Sequence, residues 1–252
     1  MGDPSLSKVR RFRVESLAGL HSGAEIALPP DEAAHARVLR LERGDALAIF
    51  DAAGRSANAE FTENGRATIL QLSEASAQSA TRIVLATAWP KGKRAAMLVE
   101  KCSELGVHAI QPVAYARSVV SKDDESEGVT RLKRIAAEAA KQSGRNDVPE
   151  ILAEKSFGQI LNEHAGKSLC VLLDPRAKID LLKLLSAKRA EMILGALVLL
   201  IGPEGGFADE ELAAADAQGV ARVRLARNIL RVETAALAAC AISAHVLDSV
   251  DN

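Results

Sequence analysis

The chain is predicted to be α/β, with a parallel sheet covered by helices in its longer C-terminal part and a small, mostly β module before it. Three observations carry this. Residues 169–173 and 196–201 are continuous apolar runs, the pattern of strands buried on both faces. From Arg82 onward, strand-like runs alternate with helical stretches, the order that builds a parallel sheet. Residues 9 to about 75 instead hold short strand-like runs, turn signals and one helical stretch, which suggests a compact barrel-like module.

In that module, residues 31–41 have helical spacing, with Asp31 as a plausible N-cap and Gly44 a little beyond the end. Residues 46–50 read as a strand closed by the turn Asp51-Ala52-Ala53-Gly54. Residues 57–61 and 67–72 read as a hairpin about Glu63-Asn64-Gly65, because Asn and Gly both accept positive φ. The small polar segment 73–79 reads as a linker, which places the two domains at residues 1–75 and 80–252.

In the second domain, residues 83–88 read as a strand, 94–105 as a helix stopped by Gly106, and 107–113 as a strand. The acidic cluster at 123–127 reads as a solvated loop, and residues 130–143 as a helix with Thr130 as N-cap and Gly144 after it. Beyond the two apolar runs, residues 209–218 read as a helix ending at Gly219. Residues 220–225 read as a short strand and 233–247 as a long final helix.

Bulk properties exclude several classes. The 252 residues carry a formal charge of −1, so contact with nucleic acid has to come from local basic patches. Cys102, Cys170 and Cys240 lie far apart with no C-x-x-C, which argues against a zinc site or a disulfide framework and suits a reducing cytosol. The five histidines are scattered, so no metal is expected. No apolar run reaches the ~18 residues of a membrane span, and the basic, polar N-terminus lacks a signal-peptide pattern, so a cytoplasmic protein with no membrane partner is expected.

Two segments carry the chemistry. Leu200-Ile201-Gly202-Pro203-Glu204-Gly205-Gly206-Phe207 is an apolar run that stops in a glycine loop. Ile229-Leu230-Arg231-Val232-Glu233-Thr234-Ala235-Ala236 is a polar knot that opens the last helix. Each follows a strand-like run, and ligands in such sheets bind outside the carboxyl ends of the strands. The first loop lacks the G-x-x-x-x-G-K-[ST] pattern and its lysine. Asp209, Glu210 and Glu211 after it disfavour a phosphate, so a nucleoside-type ligand fits better. A tight structural turn is the plainer account of the first loop, and dipole preference with a Thr234 cap is the plainer account of the second. Neither accounts for Arg231, a cation at the positive end of a helix.

The basic residues fall in clusters. Lys8, Arg10, Arg11 and Arg13 form one, Arg37, Arg40 and Arg43 another, and Lys91, Lys93 and Arg94 a third. Gln142 and Arg145, in Lys141-Gln142-Ser143-Gly144-Arg145-Asn146, could face a polar substrate. Each cluster alone is ordinarily a solvated face; several on a near-neutral chain favour RNA. No G-x-S-x-G elbow, H-E-x-x-H or EF-hand loop supports a hydrolase or metal reading.

Taken together, these motifs resemble the signature of the bacterial 16S rRNA uridine-N3 methyltransferases of the SPOUT superfamily. Supporting matches are Lys91-Gly92-Lys93-Arg94, Glu100-Lys101-Cys102-Ser103-Glu104-Leu105-Gly106-Val107, the 138–146 segment with Val148-Pro149, and residues 35–41 and 44–51. The resemblance covers nearly the whole chain. It implies an N-terminal PUA-like barrel for RNA, a C-terminal domain with a deep trefoil knot, and a homodimer with the active site near the subunit interface. It also implies S-adenosylmethionine as cofactor, held by Ile201, Gly202, Pro203, Glu204, Gly205 and Gly206 in one loop. The second loop would contribute Leu225, Ile229, Leu230, Thr234 and Ala235.

For methyl transfer to N3, Arg145, Arg231 and Glu233 are the candidate catalytic residues: either arginine would stabilise the developing anion, and Glu204 or Glu233 would act as base or, equally, position Arg231. Arg11, Arg37, Arg40, Lys91, Lys93, Arg94 and Gln142 are the candidate RNA contacts. Lys141 stands where related sequences often have Glu, and the few aromatics leave little for base stacking. Two alternatives stay open. One is a methyltransferase of the same fold acting on a ribose 2′-oxygen or another base of RNA. The other is a non-catalytic RNA-binding factor.

Overall fold

The computed structural model describes residues 9–51, 54–73, 82–118, 125–145, 147–193 and 195–248. Lys8, Ala52-Ala53, the 74–79 part of the expected linker, the boundaries at 75 and 80, Asp123-Asp124 and Asn146 lie outside them. The chain forms two compact units. One comprises residues Met1–Gln78 with Ala140–Val148, the other Ser79–Ala139 with Pro149–Asn252.

The first unit is built on β1 (Arg10–Arg13), β2 (Glu25–Ala27), α1 (Pro30–Val38), β3 (Ala46–Phe50), β4 (Ser56–Phe61) and β5 (Arg66–Ser73). The sheet order is β1-β3-β4-β5-β2, with β1 parallel to β3 and the other pairs antiparallel. Alternation explains the strands: Ala57, Ala59 and Phe61 of β4 are buried, while the residues between them are not. The hairpin turn has φ of 55° at Asn64 and 71° at Gly65, as the Asn-Gly signal requires. Helix α1 covers this turn so closely that a Cβ on Gly65 would stand 2.8 Å from that of Ala33. Asp31 is not the N-cap. Pro29 holds that position, no side chain caps the helix, and Asp31 lies in the first turn where its charge suits the dipole.

The second unit opens with β6 (Arg82–Thr87), α2 (Lys93–Glu104), β7 (Ala109–Ala114) and α3 (Glu125–Ser143), of which residues 140–143 belong to the first unit. Then come β8 (Glu150–Ile151), β9 (Lys155–Ser156), α4 (Phe157–His164), β10 (Leu169–Leu173), β11 (Ile179–Asp180), α5 (Leu181–Ala187) and α6 (Arg189–Ile193). It closes with β12 (Ala196–Ile201), α7 (Asp209–Ala217), β13 (Ala221–Arg224) and α8 (Val232–Asp248). The sheet is parallel throughout, ordered β11-β13-β10-β12-β6-β7-β8, with β9 also along β7. Leu197 to Leu200 and Val171 to Leu172 are fully buried, which accounts for the unbroken apolar runs. Helix α8 packs on β6, β12, α2 and α5.

Three expectations about helix starts are corrected. Helix α3 begins at Glu125, so Thr130 is inside it and residues 125–127 are helical rather than loop. An acidic run suits a helix start, which the loop reading overlooked. In α8 the first turn closes from the amide of Ala235 to the carbonyl of Arg231, 2.9 Å away. Arg231 is therefore at the cap and Thr234 is within the first turn, not the cap. Among the described residues, no helix is long and apolar enough to cross a membrane, and no cluster of three or more His, Cys, Asp or Glu residues is placed to hold a metal ion.

Candidate active site at the carboxyl ends of the central strands

The strand order places the loop after β12 and the loop after β13 on either side of the end of β10, at one edge of the sheet. This follows from the crossover, because the chain leaves β12, runs through α7 and returns beyond β10. Every sequence-predicted cofactor residue lies in or beside one of these loops. Ile201 and Pro203 are buried, while Glu204 and Gly205 are exposed. In the second loop Ile229 is 88% exposed, an unusual position for an isoleucine, and Arg231 is exposed.

The first loop is held from behind. Phe207 is buried and packs edge-on to Tyr115 (ring centroids 5.3 Å apart) and near Phe157 (6.0 Å). Its ring lies against the α-carbon of Gly202, where any side chain would meet it at 2.9 Å. Gly206 has φ of 70°, a conformation that disfavours side chains. Arg117 donates through Nη1 to the carbonyl oxygen of Gly205, 3.1 Å away. Glu211 accepts from the amide of Ala116 and the amide of Ala208, both at 2.8 Å. It thus ties the segment after β7 to the start of α7. Burial, then the charge of Glu211, pushes the Tyr115 phenol well above its ordinary range. Tyr115 is therefore a neutral wall residue, and its hydroxyl donates to the carbonyl oxygen of Ala86 at 3.4 Å.

Between the loops lies a charge cluster. The Arg94 guanidinium at the start of α2 stands 3.6 Å from Glu204 Oε1 and 3.9 Å from Glu233 Oε2. Both distances are within ion-pair range and beyond hydrogen-bond length. The Glu233 side chain is 7% exposed. Its Oε2 is buried and has no hydrogen-bond partner among the described residues. At the second position of α8, the carboxylate also faces the positive end of the helix dipole. At the end of β10, the buried Asp174 accepts from Arg176 and from Arg222, the latter at 2.6 Å, which fastens β13 to β10.

The remaining predicted site residues are placed as follows. In the first unit, Arg11 lies over the Phe50 ring (4.9 Å) and donates to the carbonyl oxygen of Arg145 at 3.1 Å. Burial lowers its pKa. Arg145 pairs with Asp147. Arg37 is exposed on α1, Arg40 is exposed with φ of 54°, and Gln142 is exposed. Lys141, beside Gln142, is buried, pairs with Glu32 at 2.6 Å and lies over the Phe12 ring. In the second unit, Lys91 and Lys93 are exposed before and at the start of α2, and Arg94 is in the charge cluster. Sequence reasoning missed Arg117, Asp174 and the packing of Tyr115 and Phe157 on Phe207, and read Glu211 only as a first-turn acid of α7. The signal it could have used is that Tyr115 is the one tyrosine in the chain.

Residues 77–244 match the RNA methyltransferase domain family. The ribosomal RNA small subunit methyltransferase E of Synechocystis is 32% identical over 84% of this chain and 70% of its own length. That of Mycobacterium tuberculosis is 30% identical over 90% and 88%. Among solved structures, the Neisseria gonorrhoeae ribosomal RNA small subunit methyltransferase E bound to S-adenosylmethionine superposes with a TM-score of 0.79. It is 31% identical, with 92% of this chain and 95% of that one covered. A Legionella pneumophila methyltransferase in complex with S-adenosylmethionine gives 0.77 at 28% identity, covering 96% and 98%. The chain belongs to the RNA methyltransferase family that includes the ribosomal RNA small subunit methyltransferases E.

Proposed function

We propose that this protein transfers a methyl group from S-adenosylmethionine to N3 of a uridine in 16S rRNA of the small ribosomal subunit. The observation that carries the reading is one sheet edge with a tightly backed glycine loop and a buried carboxylate, Glu233, whose Oε2 has no hydrogen bond among the described residues. The relatives' names support ribosomal RNA of the small subunit as the acceptor class. N3 of uridine rests on the motif resemblance, since a fold does not fix the acceptor atom. The same resemblance supports a PUA-like first domain, a trefoil knot in the second and a homodimer, while the proposed cytoplasmic location is supported by three scattered cysteines with no C-x-x-C.

The cofactor is S-adenosylmethionine, and the residues present suit it. The backbone at Gly206 has open space where a Cβ would be, and Glu204 and Gly205 beside it are exposed at the carboxyl end of β12. When bound, S-adenosylmethionine supplies an electrophilic methyl on a sulfonium. The N3–methyl bond forms as the sulfur–methyl bond breaks, leaving a thioether, and the N3 proton must go to a base. Glu233 is the candidate base, with Glu204 as the alternative, and positioning Arg231 is the other role open to either carboxylate. Arg145 and Arg231 are the candidates to stabilise negative charge spreading onto the uracil carbonyl oxygens. Asp147 orients Arg145 through their ion pair. Holding base and methyl in line supplies the rest of the rate. The uridine must be unpaired or flipped, so that its Watson–Crick edge is reachable. Arg11, Arg37, Arg40, Lys91, Lys93 and Gln142 are the proposed RNA contacts.

Incubation with labelled S-adenosylmethionine, using unmodified small subunits and naked 16S rRNA as separate acceptors, tests the reaction. Label in the rRNA of either acceptor supports it. With cofactor binding demonstrated, absence of label from both rejects 16S rRNA as substrate.

A further inference from the structure

Arg94 is exposed like the lysines of its basic Lys91-Gly92-Lys93-Arg94 cluster, with 45% of its side chain accessible, and what separates it from them is its pair of carboxylate contacts. Its guanidinium stands between a carboxylate on the first loop, Glu204 at 3.6 Å, and one at the start of α8, Glu233 at 3.9 Å. Glu204 is 64% exposed at its side chain and Glu233 only 7%. The exposed pair contributes little to stability because water screens it. The buried partner is different. A carboxylate taken out of water with one oxygen lacking a hydrogen bond is costly, and a facing cation is what makes it tolerable. The Arg94 contact is also too long for a hydrogen bond. Arg94 therefore balances the charge of Glu233 without occupying the acceptor lone pairs of Oε2, which stay available to a donor.

We infer that Arg94 is a positioning residue for methyl transfer. By bracketing Glu233 with Glu204 it fixes the direction of Oε2, and it couples the cofactor loop to the carboxylate that takes the N3 proton. The inference rests on the proposed role of Glu233. It assigns Arg94 to the chemistry rather than to the phosphate backbone of RNA.

The test uses the full chain and the variants Arg94→Ala, Arg94→Lys, Glu233→Gln and Arg94→Ala/Glu233→Gln. The readouts are thermal midpoint, calorimetric affinity for S-adenosylmethionine, kcat and KM on unmodified small subunits at several salt concentrations, and the crystal structure of Arg94→Ala. The expected result is a kcat lowered by up to about 100-fold in Arg94→Ala, the scale of an ångström misplacement. Cofactor affinity, RNA KM and its salt slope should be nearly unchanged, and Arg94→Lys should recover part of the rate. In the Glu233→Gln background, Arg94→Ala should add no further loss, because the two residues act as one unit.

Multiplicative losses in the double variant overturn the inference. So does a loss confined to RNA KM with a salt slope shallower by about one, which marks a phosphate contact. Equal falls in thermal midpoint and cofactor affinity with no rescue by lysine mark a structural prop and overturn it too. A Glu233→Gln variant with full activity removes Glu233 as base, a separate failure read from that single variant. Should the wild-type chain not methylate small subunits, the crystal structure still decides. An Oε2 of Glu233 that keeps its direction without Arg94 contradicts the positioning role, and one that reorients supports it.

Discussion

The ring of Phe207 occupies the space that a side chain on Gly202 would need, with the ring edge 2.9 Å from the Cβ position. Phe207 cannot retreat easily, because Tyr115 and Phe157 pack on it. Gly202→Ala is expected to cost about 1–3 kcal/mol by overpacking and to weaken cofactor affinity by displacing the loop. Thermal unfolding and calorimetry check this, and Gly202→Ala/Phe207→Leu should recover part of both losses. A Gly202→Ala protein with native affinity and stability contradicts the packing account.

Glu211 fastens two segments through the amides of Ala116 and Ala208. Ala208 cannot cap α7 with its own side chain, so Glu211 reaching back replaces half of a capping box. Glu211→Ala should destabilise the chain by about 1–2 kcal/mol. Amide hydrogen exchange should rise at Ala116 and Ala208 before it rises in β12. Uniformly unchanged exchange would show that the clamp is dispensable.

Much of the second unit was legible because burial on both faces leaves no polar residue in β10 or β12. The β4–β5 hairpin was legible because Asn64 and Gly65 both take positive φ. Helix α4 could have been read from Ser156 and Gln159, which form a capping box. The two-residue strands β8, β9 and β11 have too few residues to show any period. The two candidate loops were legible as ligand loops, because each follows a strand-like run, and together they suggested one pocket built from both. The Arg94 contacts to Glu204 and Glu233 were not, since they join residues far apart in sequence.

Asp174 gives the protein a defined acid sensitivity. Burial pushes its carboxyl up, but the Arg176 amide and the guanidinium groups of Arg222 and Arg176 outweigh burial, and the net direction is below the ordinary 3.8. The unfolded chain therefore takes up this proton at higher pH than the folded one. The stabilisation is fully present above the unfolded value, near 3.8, and is lost as pH falls through the folded one. Thermal midpoints measured from pH 6 to 3 should fall less steeply below about pH 4 in Asp174→Asn than in the wild type. Asp174→Asn should also be less stable at pH 7. Parallel curves would remove Asp174 from the acid response.

Arg145 and Arg231 are expected to act on the transition state rather than on cofactor binding. Arg145→Ala and Arg231→Ala should each retain S-adenosylmethionine affinity and lose about 100- to 1,000-fold in methyl transfer, the scale of a removed oxyanion donor. Calorimetry and single-turnover transfer measure the two quantities separately. Unchanged turnover in either variant eliminates that arginine.

The measurement that bears most directly on the account is the identity of the methylated nucleoside. Unmodified small subunits are incubated with the protein and deuteromethyl-labelled S-adenosylmethionine, and the rRNA is digested and resolved by chromatography and mass spectrometry. The account predicts a single labelled product, 3-methyluridine. A labelled 2′-O-methyl nucleoside or another methylated base would contradict N3 of uridine as the acceptor, while leaving the family and the cofactor in place.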